Sequence, residues 1–192
     1  MKEEQIINAA RELFKNYGFK KVSMDEIARK AGVTKKTVYK YFSSKQELLK
    51  FFINEELVNM KKIIEDTEKN NTDFFECVHE CIYRLLQYKH KRKFLKVLVE
   101  EAEVLKDEKV IAELSVLDDQ IQEYIKDKLE YAVKEKYIDV ENIDIAAFLI
   151  YKMYIALMFD WSETYKKLDD KVIADSILKF VLNGISRKED DK

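Results

Sequence analysis

Proline is absent from this 192-residue chain, glycine occurs three times, and cysteine and histidine twice each. Proline and glycine punctuate most turns, so a chain this poor in both leaves little room for short strands joined by tight hairpins. Hydrophobic residues still make up 47% of it, enough to bury a core, and the expectation is an all-α fold. The longest apolar stretch, residues 145–159, carries Lys152 at its centre and falls short of the ~20 residues a bilayer span needs, so it reads as a buried helix of a protein with no membrane span. Cys77 and Cys81 as the only cysteines, with Lys2, Glu3 and Glu4 opening the chain in place of a signal peptide, indicate a reducing cytoplasm.

The same scarcity argues against catalysis. His79 and His90 are the only histidines, there is no glycine-rich phosphate loop, and no Ser/His/Asp arrangement appears. Cys77 and Cys81 lie four apart on one helix face, whereas His79 points about 200° away, so the three do not converge on a metal. The cysteines read as small buried hydrophobes. Neither a metal nor a cofactor is expected, and an enzyme is not the reading.

Net charge is only −2, but residues 1–50 hold 12 Lys and Arg against 6 Asp and Glu, leaving 23 against 31 for the remainder. Polyanion binding belongs in the basic part.

Within that part, Ile6, Ala10, Leu13, Phe14 and Tyr17 recur at helical spacing and Gly18 ends the pattern, which predicts a helix over about 3–17. Ser23 and Glu26 form an S-x-x-E capping box ahead of a short helix, 24–31. Gly32 closes that helix, Val33 sits in the turn, and Thr34 can cap a third helix over about 35–42. Two short helices joined by a glycine turn are a helix-turn-helix. Ser44 and Glu47 repeat the capping box before a long helix, about 45–68, with Leu48, Leu49, Phe52, Ile53, Leu57, Met60, Ile63 and Ile64 at three- and four-residue steps. Further helices are expected over roughly 73–88, 92–105, 108–136, 143–166 and 170–186, with Asn142 and Asp169 as N-caps of the last two. The domains read as 1–47 for the helix-turn-helix, 48–187 for a second helical domain, and a frayed tail, 188–192.

Taking Val38 as the inward direction of the third helix, Tyr41 and Phe42 fall on the same side and Lys36 and Lys40 almost opposite, so the free face is Lys36, Thr37, Tyr39 and Lys40. Ammonium, hydroxyl and phenol groups are suited to phosphate oxygens and to the acceptor-rich edge of guanine in the major groove. Helix N-termini beside Ser23, Thr34, Ser44 and Lys45 offer partly positive ends to phosphates. A lysine cluster alone is usually a solvated face. Here it lies on a two-turn helix, between tight caps, with Ile27, Ala28, Val38 and Phe42 inward, and DNA binding is the better account.

The run Ser23-Met-Asp-Glu-Ile-Ala-Arg-Lys-Ala-Gly-Val-Thr-Lys-Lys-Thr-Val-Tyr-Lys-Tyr-Phe-Ser-Ser-Lys-Gln-Glu-Leu48, with Ala9-Ala10, Leu13-Phe14 and Gly18-Phe19 before it, resembles the helix-turn-helix of TetR-family transcriptional regulators. The resemblance covers about the first 50 residues and is highly specific. It implies that Thr34, Tyr39, Tyr41 and Lys45 hold phosphates, that Lys35, Lys36, Thr37 and Lys40 lie nearest the bases, and that Val33, Val38 and Phe42 are core. Many members carry glycine where Lys36 stands, so this chain adds charge and reach at that position.

In the acidic part, Phe148, Leu149, Ile155 and Phe159 on one helix and Ile173, Ile177, Phe180, Val181 and Ile185 on the next offer more apolar surface than one small domain covers. They are expected to pair with a second copy in a four-helix interface, with Gly184 permitting close approach. Aromatic residues are dense here, and Tyr83, Phe94, Tyr124, Tyr151, Tyr154 and Trp161 are candidates to line a pocket for a lipophilic small molecule. The function expected is a ligand-responsive regulator, a repressor, that binds a palindromic double-stranded DNA operator as a homodimer and is released by a small effector. A helical module that binds protein partners, its lysines merely solvated, is the competing account.

Overall fold

The computed structural model describes residues 1–91, 97, 101, 106, 108–157, 161 and 168–185. Among them lie eight helices and no strand: α1 (Lys2–Tyr17), α2 (Met24–Lys30), α3 (Lys35–Tyr41), α4 (Lys45–Glu68), α5 (Phe74–Lys91), α6 (Glu108–Lys134), α7 (Ile143–Ile155) and α8 (Asp170–Ile185). The all-α expectation holds. Apart from Val97 and Glu101, the helix expected over 92–105 lies outside the described residues, as do 158–160 and 162–167, Phe94, Phe159 and the tail 188–192. No helix among the described residues is long and apolar enough to cross a membrane.

The chain divides into two compact units, one of Met1–Asn59 with Arg92–Leu117, the other of Met60–Lys91 with Asp118–Lys192. In the first, α1 buries Ile6, Ala9, Ala10 and Phe14, α2 buries Met24, Ile27 and Ala28, and α3 buries Val38. The opening turns of α4 bury Leu48, Leu49, Phe52, Ile53 and Leu57 in the same core. Phe14 meets Phe19 and Phe52 edge-on at 5.4 and 6.0 Å, and Phe51 meets Phe42 and Phe52 at 5.8 and 5.6 Å, the arrangement that places positive ring edges on negative faces. Arg11 ties α1 to α4, its guanidinium 2.6 Å from Glu55 and 4.7 Å above the Phe52 ring.

Tyr17 and Tyr41 depart from the inward faces drawn for them, at 62% and 38% exposed. Each is the last residue of its helix, where an apolar stripe runs on past its covering neighbour.

The described residues of the second unit form two apolar clusters. Leu86 of α5 packs with Ile173, Ala174 and Ile177 of α8, and Leu129 and Ala132 of α6 pack with Ile138 and with Ala146 and Ala147 of α7. Asn142 caps α7 by accepting from the Ile145 N–H at 2.9 Å, and Asp169 accepts from the Lys171 N–H at 2.9 Å at the head of α8.

Capping fixes where the short helices begin. The Ser23 hydroxyl accepts the Glu26 N–H at 3.3 Å and the Glu26 carboxylate accepts the Ser23 N–H at 2.7 Å, closing the reciprocal box. Replacing Ser23 by alanine is expected to lower stability by about 1 kcal/mol, read as a lower urea midpoint at unchanged slope. The bonds from the Ser23 hydroxyl, then from its backbone N–H, hold the Glu26 carboxyl below its ordinary range. A lowered folded-state pKa stabilises above the unfolded value and stops doing so as pH falls through the folded one, so the deficit of the variant narrows in acid.

Candidate nucleic-acid interface

The link from α2 to α3 is short and fully bonded. Ala31 donates to the Ile27 carbonyl at 2.9 Å, Gly32 to Arg29 at 3.3 Å and Val33 to Ala28 at 3.0 Å, while Gly32 supplies a φ of +66°. Thr34 then caps α3, its hydroxyl 3.2 Å from the Thr37 N–H and 2.9 Å from the Thr37 hydroxyl. α2 packs on both α1 and α3. Val38 and Phe42 point into the core and Val33 is half-buried, so α3 has one seated face and one open face.

On the open face, Lys36 and Lys40 are exposed, Tyr39 is 44% exposed and Thr37 is half-buried. Among the described residues neither Lys36 nor Lys40 has an ion-pair partner, which leaves two ammonium groups and a phenol on one side of a rigidly held helix. Lys35 is exposed too, but its ammonium lies 2.8 Å from Asp25 of α2, and that contact raises its pKa above the ordinary lysine value. Ser23 is spent in its cap.

Ser44 and Lys45 are placed differently from the pattern drawn for them. The Ser44 hydroxyl accepts the Glu47 N–H at 3.2 Å as a cap should, but the Glu47 carboxylate returns to the backbone N–H of Ser43, not of Ser44. Lys45 is half-buried, with its ammonium donating to the carbonyls of Phe19 at 2.7 Å, Val22 at 2.8 Å and Lys20 at 3.3 Å and lying 4.4 Å above the Phe19 ring. A phosphate at Lys45 therefore has to share that ammonium with the α1–α2 link.

Over 188 residues the chain is 30% identical to YhgD, an HTH-type transcriptional regulator of Bacillus subtilis (strain 168), an alignment covering 96% of this chain and 97% of that protein. Residues 6–50 also match the family model for bacterial regulatory proteins of the tetR family. This chain belongs to the TetR family. It is an all-helical transcriptional regulator with an N-terminal DNA-binding helix-turn-helix, in a family of regulators rather than of enzymes.

Solved structures of the same fold include Thermus thermophilus FadR in complex with lauroyl-CoA, at TM-score 0.71 and 19% identity over 99% of this chain and 98% of that one. Another is SmeT, the repressor of a Stenotrophomonas maltophilia multidrug efflux pump, whose triclosan complex aligns at TM-score 0.74 and 17% identity over 98% of this chain and 93% of that one.

In this TetR-family chain five of the six aromatics expected to line a pocket fall among the described residues. Tyr83 and Tyr154 pack on the Leu86–Ile177 cluster, and burial raises the Tyr154 phenol pKa. Tyr151 is almost fully buried, with its hydroxyl donating to Asp118; burial, then that bond, pushes its pKa up. Tyr124 has the ammonium groups of Lys128 and Lys61 at 5.3 and 5.4 Å from its ring centre, and burial raises its phenol pKa against the lowering pull of the Lys128 charge. Trp161 is half-buried.

Of the residues assigned to a subunit interface, Phe148 and Phe180 are 47% and 70% exposed, and Ile145, Leu149 and Val172 lie open beside them on α7 and α8. Ile155 is half-buried, and Gly184 lies in the last turn of α8. Ile173 and Ile177 belong instead to the core of the subunit, because α5 packs on α8 and Leu86 covers them. Cys77 and Cys81 are free thiols; burial pushes Cys81 up to about 12 and raises Cys77 as well, so both stay protonated near neutrality. His79 turns to Asp175 at 2.6 Å.

Proposed function

We propose that this TetR-family regulator is a cytoplasmic repressor that binds a palindromic double-stranded DNA operator as a homodimer and is released by a small lipophilic effector. The observation that carries this reading is the open face of α3, where Lys36, Thr37, Tyr39 and Lys40 stand on a helix anchored by buried Val38 and Phe42. Thr34, Lys35, Tyr41, Ser23, Ser44 and Lys45 surround that face, with Lys35 and Lys45 lending charge while held by their own chain.

The homodimer is supported by the exposed Phe148, Leu149, Val172 and Phe180, apolar area of the kind a second copy covers. Two subunits place two recognition helices about one DNA turn, ~34–36 Å, apart. A lipophilic effector is supported by the aromatic side chains of the second unit and by the lauroyl-CoA and triclosan held by the two structural relatives. The proposed lever is α4, which begins in the first unit and ends in the second. An effector that favours a non-binding spacing lowers operator affinity by its differential affinity for the two states, typically ~1–3 kcal/mol. No metal or cofactor enters this scheme.

Titration against duplexes from the region beside its own gene, at two salt concentrations, tests the reading. The expected result is nanomolar, salt-sensitive binding that exceeds random duplex by ~10³ or more. Weak and equal binding to all duplexes, together with an unaltered Lys36→Ala protein, supports the protein-binding module in its place. Phe180→Glu is expected to convert the dimer into monomer in sedimentation at micromolar concentration, since a charge in an apolar interface loses its hydration without a partner. A wild type already monomeric there contradicts the dimer.

A further inference from the structure

Between α1 and α2, residues 19–22 form no regular element, yet their backbone is gripped from two sides. Lys45 holds three of their carbonyls. The N–H groups go elsewhere: those of Phe19 and Lys20 each donate to one oxygen of the Glu101 carboxylate, both at 2.6 Å. Glu101 lies 82 residues downstream of Phe19 and is 7% exposed, in the same compact unit. Gly18 makes the approach possible. At φ +80° and ψ 165° it occupies backbone territory that side chains rarely enter, and a Cβ there would stand 3.0 Å from one Glu101 oxygen and 3.2 Å from the carboxyl carbon.

We infer that Glu101 is a positioning residue for DNA reading: its carboxylate fixes the α1–α2 link and so the placement of α2 and, through the packed α2–α3 pair, of the recognition face. This rests on the DNA-binding reading above. The physical basis is that the peptide unit joining Phe19 to Lys20 lies between the Glu101 anion on its N–H side and the Lys45 cation on its C=O side, with the neighbouring units held by one or other charge. The dipole of that unit is thus oriented by both charges, and a bond from a backbone N–H to a charged acceptor is stronger than one to a neutral acceptor. A buried carboxylate needs such donors to offset its lost hydration, so Glu101 is costly in this place unless the link is seated against it. The grip is reciprocal, and whatever displaces residue 101 releases the link.

Glu101→Gln keeps the shape and removes the charge. The amide group puts an N–H₂ where one of the two backbone donors points, so one bond is lost outright. The expected result is hydrogen exchange at the Phe19 and Lys20 amides faster by about tenfold or more, with core amides at Phe14 and Phe52 unchanged. Operator affinity is expected to fall about tenfold at an unaltered slope of log affinity against log salt, because no phosphate contact is removed. A cation of the open face such as Lys40, replaced by alanine, flattens that slope instead, because its ammonium displaces counterions even when directed at a base. Gly18→Ala, which crowds the carboxylate from the other side, is expected to reproduce the faster exchange. A Glu101→Gln protein with wild-type exchange at 19 and 20 and wild-type operator affinity overturns the positioning role alone. Core amides that exchange faster as well, or a changed salt slope, overturn it in favour of general destabilisation or direct contact. A wild-type protein that binds no duplex overturns the DNA-binding reading and this role together.

Discussion

Alanine at both Lys36 and Lys40 is expected to lower operator affinity by about a thousandfold, ~4 kcal/mol. This takes ~1 kcal/mol per contact, the lower end for a base-directed side chain, over two residues in each of two subunits. Fluorescence anisotropy with a labelled operator at fixed ionic strength reads the loss. Stability should stay within ~0.5 kcal/mol of wild type, because both side chains are exposed and no ion pair among the described residues depends on them. The two halves of the result separate the accounts of this surface. A solvated lysine face gives unchanged affinity and unchanged stability; a structural face gives a loss in both.

The second large effect concerns the seat of the recognition helix. Phe52→Ala is expected to cost about 3–5 kcal/mol, the range for emptying an aromatic site in a close-packed core. Phe52 is fully buried, lies edge-on to Phe14 and Phe51, and is roofed by the Arg11 guanidinium, so few neighbours are free to collapse into the space. Removing it also strips Arg11 of its aromatic partner and leaves its guanidinium with the Glu55 contact. Val58→Ala on the same helix, where Val58 is 63% exposed, serves as the control and should shift stability by less than ~0.5 kcal/mol. Urea unfolding followed by circular dichroism measures both. A Phe52→Ala loss below ~1 kcal/mol contradicts the packing described for the first unit.

What could be read in advance from the sequence follows the range of the interactions involved. Ser23 with Glu26, Thr34 with Thr37 and Asn142 with Ile145 are contacts three residues apart, so one helical turn contains both partners and a pattern search finds them. The seated and open faces of α3 were legible for the same reason, through Val38 and Phe42 against Lys36 and Lys40. Periodicity misled at Tyr17 and Tyr41, where the stripe continues but its cover does not. It was silent about what covers α8. Apolar burial is non-directional, so Ile173 and Ile177 look alike whether a second copy or Leu86 lies over them. Glu101 left no mark in the sequence, because a carboxylate that binds backbone N–H groups calls for no complementary side chain at Phe19 or Lys20. The partner of Lys35 was equally hidden: Asp25 is ten positions back and meets it only once α2 and α3 have packed.

The two glycine turns of the first unit differ in what they tolerate as the chain mutates. Gly32 needs only its positive φ, since a Cβ placed on it meets nothing within 4 Å; asparagine and aspartate, which enter that region most readily among side-chain residues, are admissible replacements. Gly18 is constrained twice over, by a backbone conformation that other residues rarely adopt and by the carboxylate that any Cβ placed there would meet at 3.0 Å. Random mutagenesis with selection for a working regulator should therefore return variants at the turn inside the two-helix motif and none at the link before it.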